Sequence, residues 1–171
     1  MSKIYFIVGI KHCGKSTVGL QLSKEMNIPY FDLDTLIEEA TGYPVREFYI
    51  KYGRDEFLNE EFKALKNLLT SGSNYICATG GGICENSRAY ELLKSLSNII
   101  FINTPPETLY SRIIRNGVPA FLKSEDPETE FYELYERRSL LYKKIAKIEI
   151  NGSNKSPNDI VDEILTYTKE Q

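Results

Sequence analysis

The sequence predicts an α/β protein, a five-stranded parallel sheet with helices on both faces. Three observations lead there. Five short, apolar, β-rich runs alternate with helical stretches along the chain. The first run, "KIYFIVGI", is apolar at consecutive rather than alternate positions, as in strands buried on both faces. It passes directly into "GIKHCGKST", where Gly9, Gly14, Lys15 and Ser16 satisfy G-x-x-x-x-G-K-[ST] at the start of a helix.

The elements follow in order. After the first strand, "KSTVGLQLSKEM" spaces Val18, Leu20, Leu22 and Met26 as one helix face. "IPYFDLD" is the second strand, and "TLIEEA" opens the next helix, which Asp34 is placed to cap. "VREFYIKYG" and "DEFLNEEFKALKNLLTSG" are two helices broken at Gly53, the second with an apolar stripe of Phe57, Leu58, Phe62, Leu65 and Leu68. "YICATGGG" is a strand running into three glycines. Asn86 then caps "SRAYELLKSL". "NIIFIN" is the fourth strand, and Thr104 followed by Pro105 starts a helix with proline at its first position. "RNGVPAFLKSEDPE" is an exposed loop, long enough to be functional. A long helix, "TEFYELYERRSLLYKKIA", a last strand, "KIEIN", and a helix with a Ser-Pro start, "SPNDIVDEILTYT", complete the chain. No repeat or linker divides its 171 residues, so one domain, 1–171, is expected.

Composition narrows the class. Hydrophobic residues make up 42% and charged residues 26%, as in ordinary globular proteins. A net charge of -3 argues against a general nucleic-acid binder, which carries a basic footprint. No apolar run approaches a membrane span, and the N-terminus lacks the features of a signal peptide. Three irregularly spaced cysteines and a single histidine make neither a disulfide framework nor a zinc site. The expectation is a cytoplasmic monomer with reduced thiols, without nucleic-acid or membrane partners.

The chemistry gathers at the carboxyl ends of the strands, where open parallel sheets place their sites. Backbone N–H groups of the loop from Gly9 to Thr17, with the helix N-terminus behind them, form a cradle for phosphate. Lys15 supplies charge for the β and γ phosphates, and the Ser16 hydroxyl is a magnesium ligand. Lys11, His12 and Cys13 need not spoil the cradle, since side chains at these positions can point outward. Cys13 is read as a small filler, with a thiolate stabilised by the helix N-terminus as the alternative. Asp32 and Asp34 alternate along the second strand and so share a side. One can serve the magnesium shell and the other can accept a proton from an attacking hydroxyl, although helix capping by Asp34 explains that residue equally well. Gly80, Gly81 and Gly82 permit close approach of a ligand.

In this order, the phosphate loop, "FDLD" before "TLIEEATG", "ATGGG" and the late "RRSLLYKKIA" resemble the shikimate kinases, small P-loop kinases of the nucleoside-monophosphate-kinase fold. The resemblance covers nearly the whole chain. It implies transfer of the γ-phosphate of ATP, with Mg²⁺, to a hydroxyl of shikimate, a small hydroxylated acid, on the route to aromatic amino acids. It implies Lys15 at the phosphates, Ser16 and Asp32 at the metal, and Asp34 as base. It places Gly80, Gly81 and Gly82 in the acceptor pocket, Arg138 on the acceptor's carboxylate and Arg112 against adenine. A lid at about 116–128 would close over the nucleotide. Three features depart from the family pattern. Leu58 stands where Phe-Arg before "xxE" supplies a second carboxylate-binding arginine. Val118, Pro119, Ala120 and Phe121 stand where the lid carries Arg-Pro-Leu-Leu, and Lys-His-Cys-Gly replaces the usual loop middle. Arg54, one helical turn before Leu58, is a candidate for the missing acceptor contact, and Arg115 or Lys11 for the missing lid charge. A different small polyol or hydroxy acid as acceptor, or a non-catalytic nucleotide-binding regulator, are the alternative functions.

Overall fold

A computed structural model of the chain describes residues 3–118 and 122–169. Strands β1 (Ile4–Val8), β2 (Tyr30–Asp32), β3 (Tyr75–Ala78), β4 (Ile99–Asn103) and β5 (Ile148–Asn151) form one sheet of order β2-β3-β1-β4-β5. Every pairing is parallel. Helices α1 (Lys15–Met26), α2 (Leu33–Thr41), α3 (Val45–Leu69), α4 (Ser87–Lys94), α5 (Pro106–Ile113), α6 (Pro127–Ile145) and α7 (Pro157–Lys169) connect and cover the strands. Consecutive residues of β1, β3 and β4 are buried, so both faces of the sheet centre are covered. β5 instead alternates, with Ile148 and Ile150 inward and Glu149 and Asn151 outward, as an edge strand covered on one face does.

The largest fully buried side chains are Tyr75, Tyr142, Phe6, Phe101 and Phe131. Phe6 meets Tyr75 edge-on with ring centroids 5.9 Å apart, and Phe101 lies 5.4 Å from Tyr142. Such pairs add about 0.5–1.5 kcal/mol beyond the area they bury. Tyr142 also reaches the site: its hydroxyl donates to the carbonyl of Gly81 at 2.9 Å. The core therefore fixes the position of the glycine triplet. The three cysteines are buried and unpaired, and among the described residues no helix is long and apolar enough to cross a membrane.

Local chemistry explains most element boundaries. Asn86 caps α4, accepting from the N–H of Ala89, and Asp126 caps α6 through Thr129. Ser156 and Asp159 form a reciprocal capping box at α7. Gly53, with φ 87° and ψ 176°, breaks α3 into two helical parts, as the sequence predicts. Three boundaries differ from expectation. α5 begins at Pro106, with Pro105 in extended conformation before it. β2 ends at Asp32, and Asp32 rather than Asp34 caps α2, accepting from the N–H of Asp34 at 3.1 Å. The stretch 115–128, expected to be exposed, buries Leu122 to 5% exposure and ties the N–H groups of Lys123 and Ser124 to Glu130. Residues 119–121, at the centre of the expected lid, lie outside the described residues.

Candidate active site

The sheet order brings the ends of β2, β3 and β1 side by side, with β3 between the other two and β1 at the centre of the sheet. Lys11, His12, Gly14, Lys15, Ser16, Thr17, Asp32, Asp34, Thr79, Gly80 and Gly81 line one cavity of about 520 Å³ at that edge. Three separate stretches of sequence thus meet in one place.

The loop after β1 is held in shape by Lys15. Its Nζ donates to the carbonyls of Gly9 at 2.9 Å and Ile10 at 3.1 Å and lies 3.8 Å from Cys13 Sγ. Gly14 takes φ 96° before α1, and no side chain caps that helix. The first turn holds no acidic residue, so its N–H groups and dipole end remain available to an anion. Lys11 and His12 are exposed, whereas Cys13 points inward and is 3% exposed, as its reading as a small filler expects. His12 has φ 67°, and its carbonyl accepts from Arg112 Nη1 at 3.0 Å. Arg112 therefore braces the loop itself. Partial burial and the charges of Lys11, Lys15 and Arg112 hold the His12 imidazole below its ordinary pKa, so it is neutral at pH 7.

Asp32 and Asp34 both face the cavity, though not by strand alternation, because Asp34 lies in the first turn of α2. Asp32 Oδ2 accepts from Ser16 Oγ at 2.9 Å and from the Tyr30 hydroxyl at 3.2 Å. A serine hydroxyl and a carboxylate joined in this way are hard oxygen donors of the kind Mg²⁺ takes alongside phosphate oxygens and water. Asp34 is half-buried. Burial first, and then the charge of Asp32, push its carboxyl above the usual range.

A third carboxyl joins them. Glu61, on α3, is 2% exposed and accepts at Oε2 from Asn86 Nδ2 at 2.8 Å. Burial pushes its pKa up to about 7, with Asp34 adding to the effect. Glu61 stands within the stripe of Phe57, Leu58, Phe62, Leu65 and Leu68, from which the sequence predicts no site residue. A buried charge inside that stripe was the available signal, and it is the Glu of the family's "xxE". Because the folded-state pKa is raised, folding favours the protonated form. The associated stability is present below pH 4.5 and is lost as pH rises toward 7. Glu61→Gln keeps the acceptor for Asn86 without the charge. It is expected to change stability little at pH 5 and to stabilise the protein at pH 8 by on the order of 2 kcal/mol, several degrees in melting temperature. Melts at the two pH values check this; equal shifts at both would contradict it.

The glycine triplet spaces these groups. A methyl group on Gly80 would stand 3.2 Å from Asp34 Oδ1 and 3.4 Å from Glu61 Oε1. On Gly81 it would come within 2.8 Å of the Lys11 backbone nitrogen, too close for any side chain, and on Gly82 within 3.1 Å of Arg138 Nη2. The base candidates, phosphate loop and arginine thus line up along three consecutive residues. Arg138 Nη1 donates to the Gly81 carbonyl at 3.1 Å. Arg54 is exposed, directly after the break at Gly53, and does not line the cavity. Leu58 is half-buried and its carbonyl accepts from Asn86. Arg115 lies in a short 3-10 turn, Ile114–Asn116, and Val118 is 57% exposed.

The fold and this cavity define a P-loop kinase acting on a small acceptor. Comparison with known proteins narrows the class. The family model for shikimate kinase matches residues 11–169. The shikimate kinase of Enterococcus faecalis is 35% identical over 167 residues, covering 96% of this chain and 97% of that one. That of Aquifex aeolicus is 34% identical, covering 94% of this chain and 92% of its own. The solved structure of shikimate kinase from Acinetobacter baumannii in complex with shikimate matches with a TM-score of 0.89 at 27% identity, covering 99% of this chain and 94% of that one. The chain belongs to the shikimate kinase family.

Proposed function

We propose that this member of the family phosphorylates shikimate from ATP through Lys15, Asp34 and the glycine triplet, as one cytoplasmic, monomeric kinase domain spanning 1–171. The supporting observation is that Lys15, Asp34, Gly80 and Gly81 line one cavity. The β and γ phosphates lie in the N–H cradle of the loop, with Lys15 turning from the Gly9 and Ile10 carbonyls toward them. Ser16 and Asp32 would hold Mg²⁺, which when bound offsets phosphate charge and orients the phosphates. Asp34 accepts the proton of the attacking hydroxyl. Its raised pKa lies closer to neutrality than that of an ordinary aspartate, which favours general-base work. Arg138 holds the acceptor's carboxylate and Arg112 steadies the adenine side of the loop, while Arg54, exposed and away from the cavity, is left without an acceptor role. Residues around 116–128 form the lid, with the buried Leu122 anchoring its C-terminal side.

A coupled ADP-release assay with shikimate tests the proposal. Turnover of shikimate with no release in its absence is the expected result. ATP binding without turnover would mean a non-catalytic nucleotide-binding protein, and preference for a carboxylate-free alcohol would mean another acceptor.

Lys11 supplies a positive charge at the transfer point in place of the lid arginine where this chain has Val118. It lines the cavity beside Asp34, and its charge acts to lower the Asp34 pKa. Lys11→Ala is expected to cut kcat about tenfold or more while changing ATP affinity less than threefold, the signature of a contact made in the transition state. Single-turnover rates beside nucleotide titrations measure the two effects separately. Unchanged turnover would remove Lys11 from the mechanism.

A further inference from the structure

Glu85 is a carboxylate that the site provides for its own arginines. It closes the short 3-10 turn Ile83–Glu85 directly after the glycine triplet. Arg137 donates to its Oε1 from Nε at 2.8 Å, and its Nη2 lies 2.8 Å from the same oxygen as an ion pair. Arg138 donates to its Oε2 from Nε at 3.1 Å and from Nη2 at 2.7 Å. Burial alone would raise the Glu85 pKa, but the two guanidinium groups hold it below the usual carboxylate range, so it is ionised at pH 7.

Donor arithmetic shows what the arrangement does. A guanidinium carries five N–H donors. Arg138 directs two at Glu85 and one at the Gly81 carbonyl, leaving one each on Nη1 and Nη2. Those two nitrogens form the edge that meets a carboxylate bidentately, and both lie against Gly82. Arg137 offsets the charge of Glu85, so the positive charge of Arg138 stays available to an anion. With Leu58 in place of a second arginine, the acceptor's carboxylate depends heavily on how this one guanidinium is turned.

We propose that Glu85 is a positioning residue for acceptor binding: backed by Arg137, it holds the side edge of Arg138 so that Nη1 and Nη2 face the acceptor's carboxylate. This rests on the reading of Arg138 as the carboxylate anchor. Glu85 touches neither substrate nor nucleotide, and Arg137 acts only through Glu85.

Steady-state kinetics on the full chain with shikimate and ATP test it. Glu85→Gln is expected to raise the shikimate KM about tenfold, the weight of one charge-assisted hydrogen bond, with kcat and the ATP KM changed less than threefold. Arg137→Ala should raise the shikimate KM about threefold, and adding it to Glu85→Gln should cost nothing further, because the two act in series. A merely structural role would lower the melting temperature without separating the two KM values. An unchanged shikimate KM in Glu85→Gln overturns the proposal, and a lowered one does too, since it would make Glu85 a competitor of the acceptor. Arg138→Lys is the control for the underlying reading. If it raises the shikimate KM while Glu85→Gln does not, the anchor stands and the positioning role falls; if it too has no effect, both fall. Should Glu85→Gln fail to fold, Arg137→Ala decides alone: the Arg137 side chain is 57% exposed, and an unchanged shikimate KM there overturns the proposal.

Discussion

Asp34→Asn is expected to lower kcat for shikimate phosphorylation by about 10²–10⁴-fold, the usual contribution of a positioned general base. ATP affinity should be unchanged, because Ser16, Asp32 and the loop are untouched. The fold should also survive. The N–H of Asp34 keeps its bond to Asp32, and asparagine has the same shape. Burial and the neighbouring Asp32 disfavour the charged form of Asp34, so a neutral amide relieves a cost and stability should hold or rise. Loss of turnover with no loss of stability is the mark of a group placed for chemistry at the expense of the fold. The pH profile supplies a second check. In the native protein kcat should fall as pH drops through the raised pKa of Asp34, because only the ionised carboxylate accepts a proton. That limb should disappear in the asparagine variant. Turnover within fivefold of the native rate would show that the hydroxyl loses its proton without Asp34, and capping-turn structure would then be the residue's whole role.

The fold was legible because its signals are local. Each strand announces itself as an apolar run and each helix as a stripe, and the phosphate loop joins the first pair through a fixed spacing of two glycines and a lysine. Gly53 needed no tertiary information, since a glycine between two helical patterns is enough to break them. The same locality explains what was missed. The sequence cannot say that the chain leaves β2 at Asp32, because "YFDLD" alternates as well as a longer strand would. Only the helical turn of α2 decides which aspartate caps. Cys13 was legible as a small filler, but only the folded loop shows its thiol packed against Lys15.

Glu61, Glu85 and Tyr142 escaped notice for a different reason. Each acts across a gap in sequence: Glu61 to Asn86, Glu85 to Arg137 and Arg138, and Tyr142 to Gly81. None of these pairings has a spacing rule, because α3 and α6 meet the glycine triplet only once the sheet has formed. The resemblance to a family carried Arg138 and the triplet to their places and covers Glu61 through its "xxE", but it assigns nothing to Glu85. The Leu58 departure also changes meaning. It leaves no cation at position 58 beside Glu61, whose carboxyl burial and then Asp34 push up to about 7.

Lys15→Met should cost about 10³-fold or more in kcat/KM, and unlike Lys11→Ala it should damage nucleotide binding and turnover together. The reason lies in the bonds Lys15 already makes. Lys15 is 8% exposed, and its ammonium satisfies the carbonyls of Gly9 and Ile10. Methionine fills the same space but donates nothing, so two carbonyls at the neck of the loop lose their partner, at roughly 1–3 kcal/mol for each one left unsatisfied. The cradle then has less reason to keep its N–H groups convergent, and ATP affinity falls. Turnover falls as well, since a fixed positive charge beside developing phosphate charge is worth about 10²–10³-fold where it acts. The two losses multiply, which separates Lys15 from a residue that only binds and from one that only assists transfer. Nucleotide titration and single-turnover transfer on the same variant resolve them. Full ATP affinity with lost turnover would mean that the loop holds its shape without the internal bonds. Lost affinity with native turnover at saturating ATP would confine Lys15 to binding and leave the transition-state charge to Lys11.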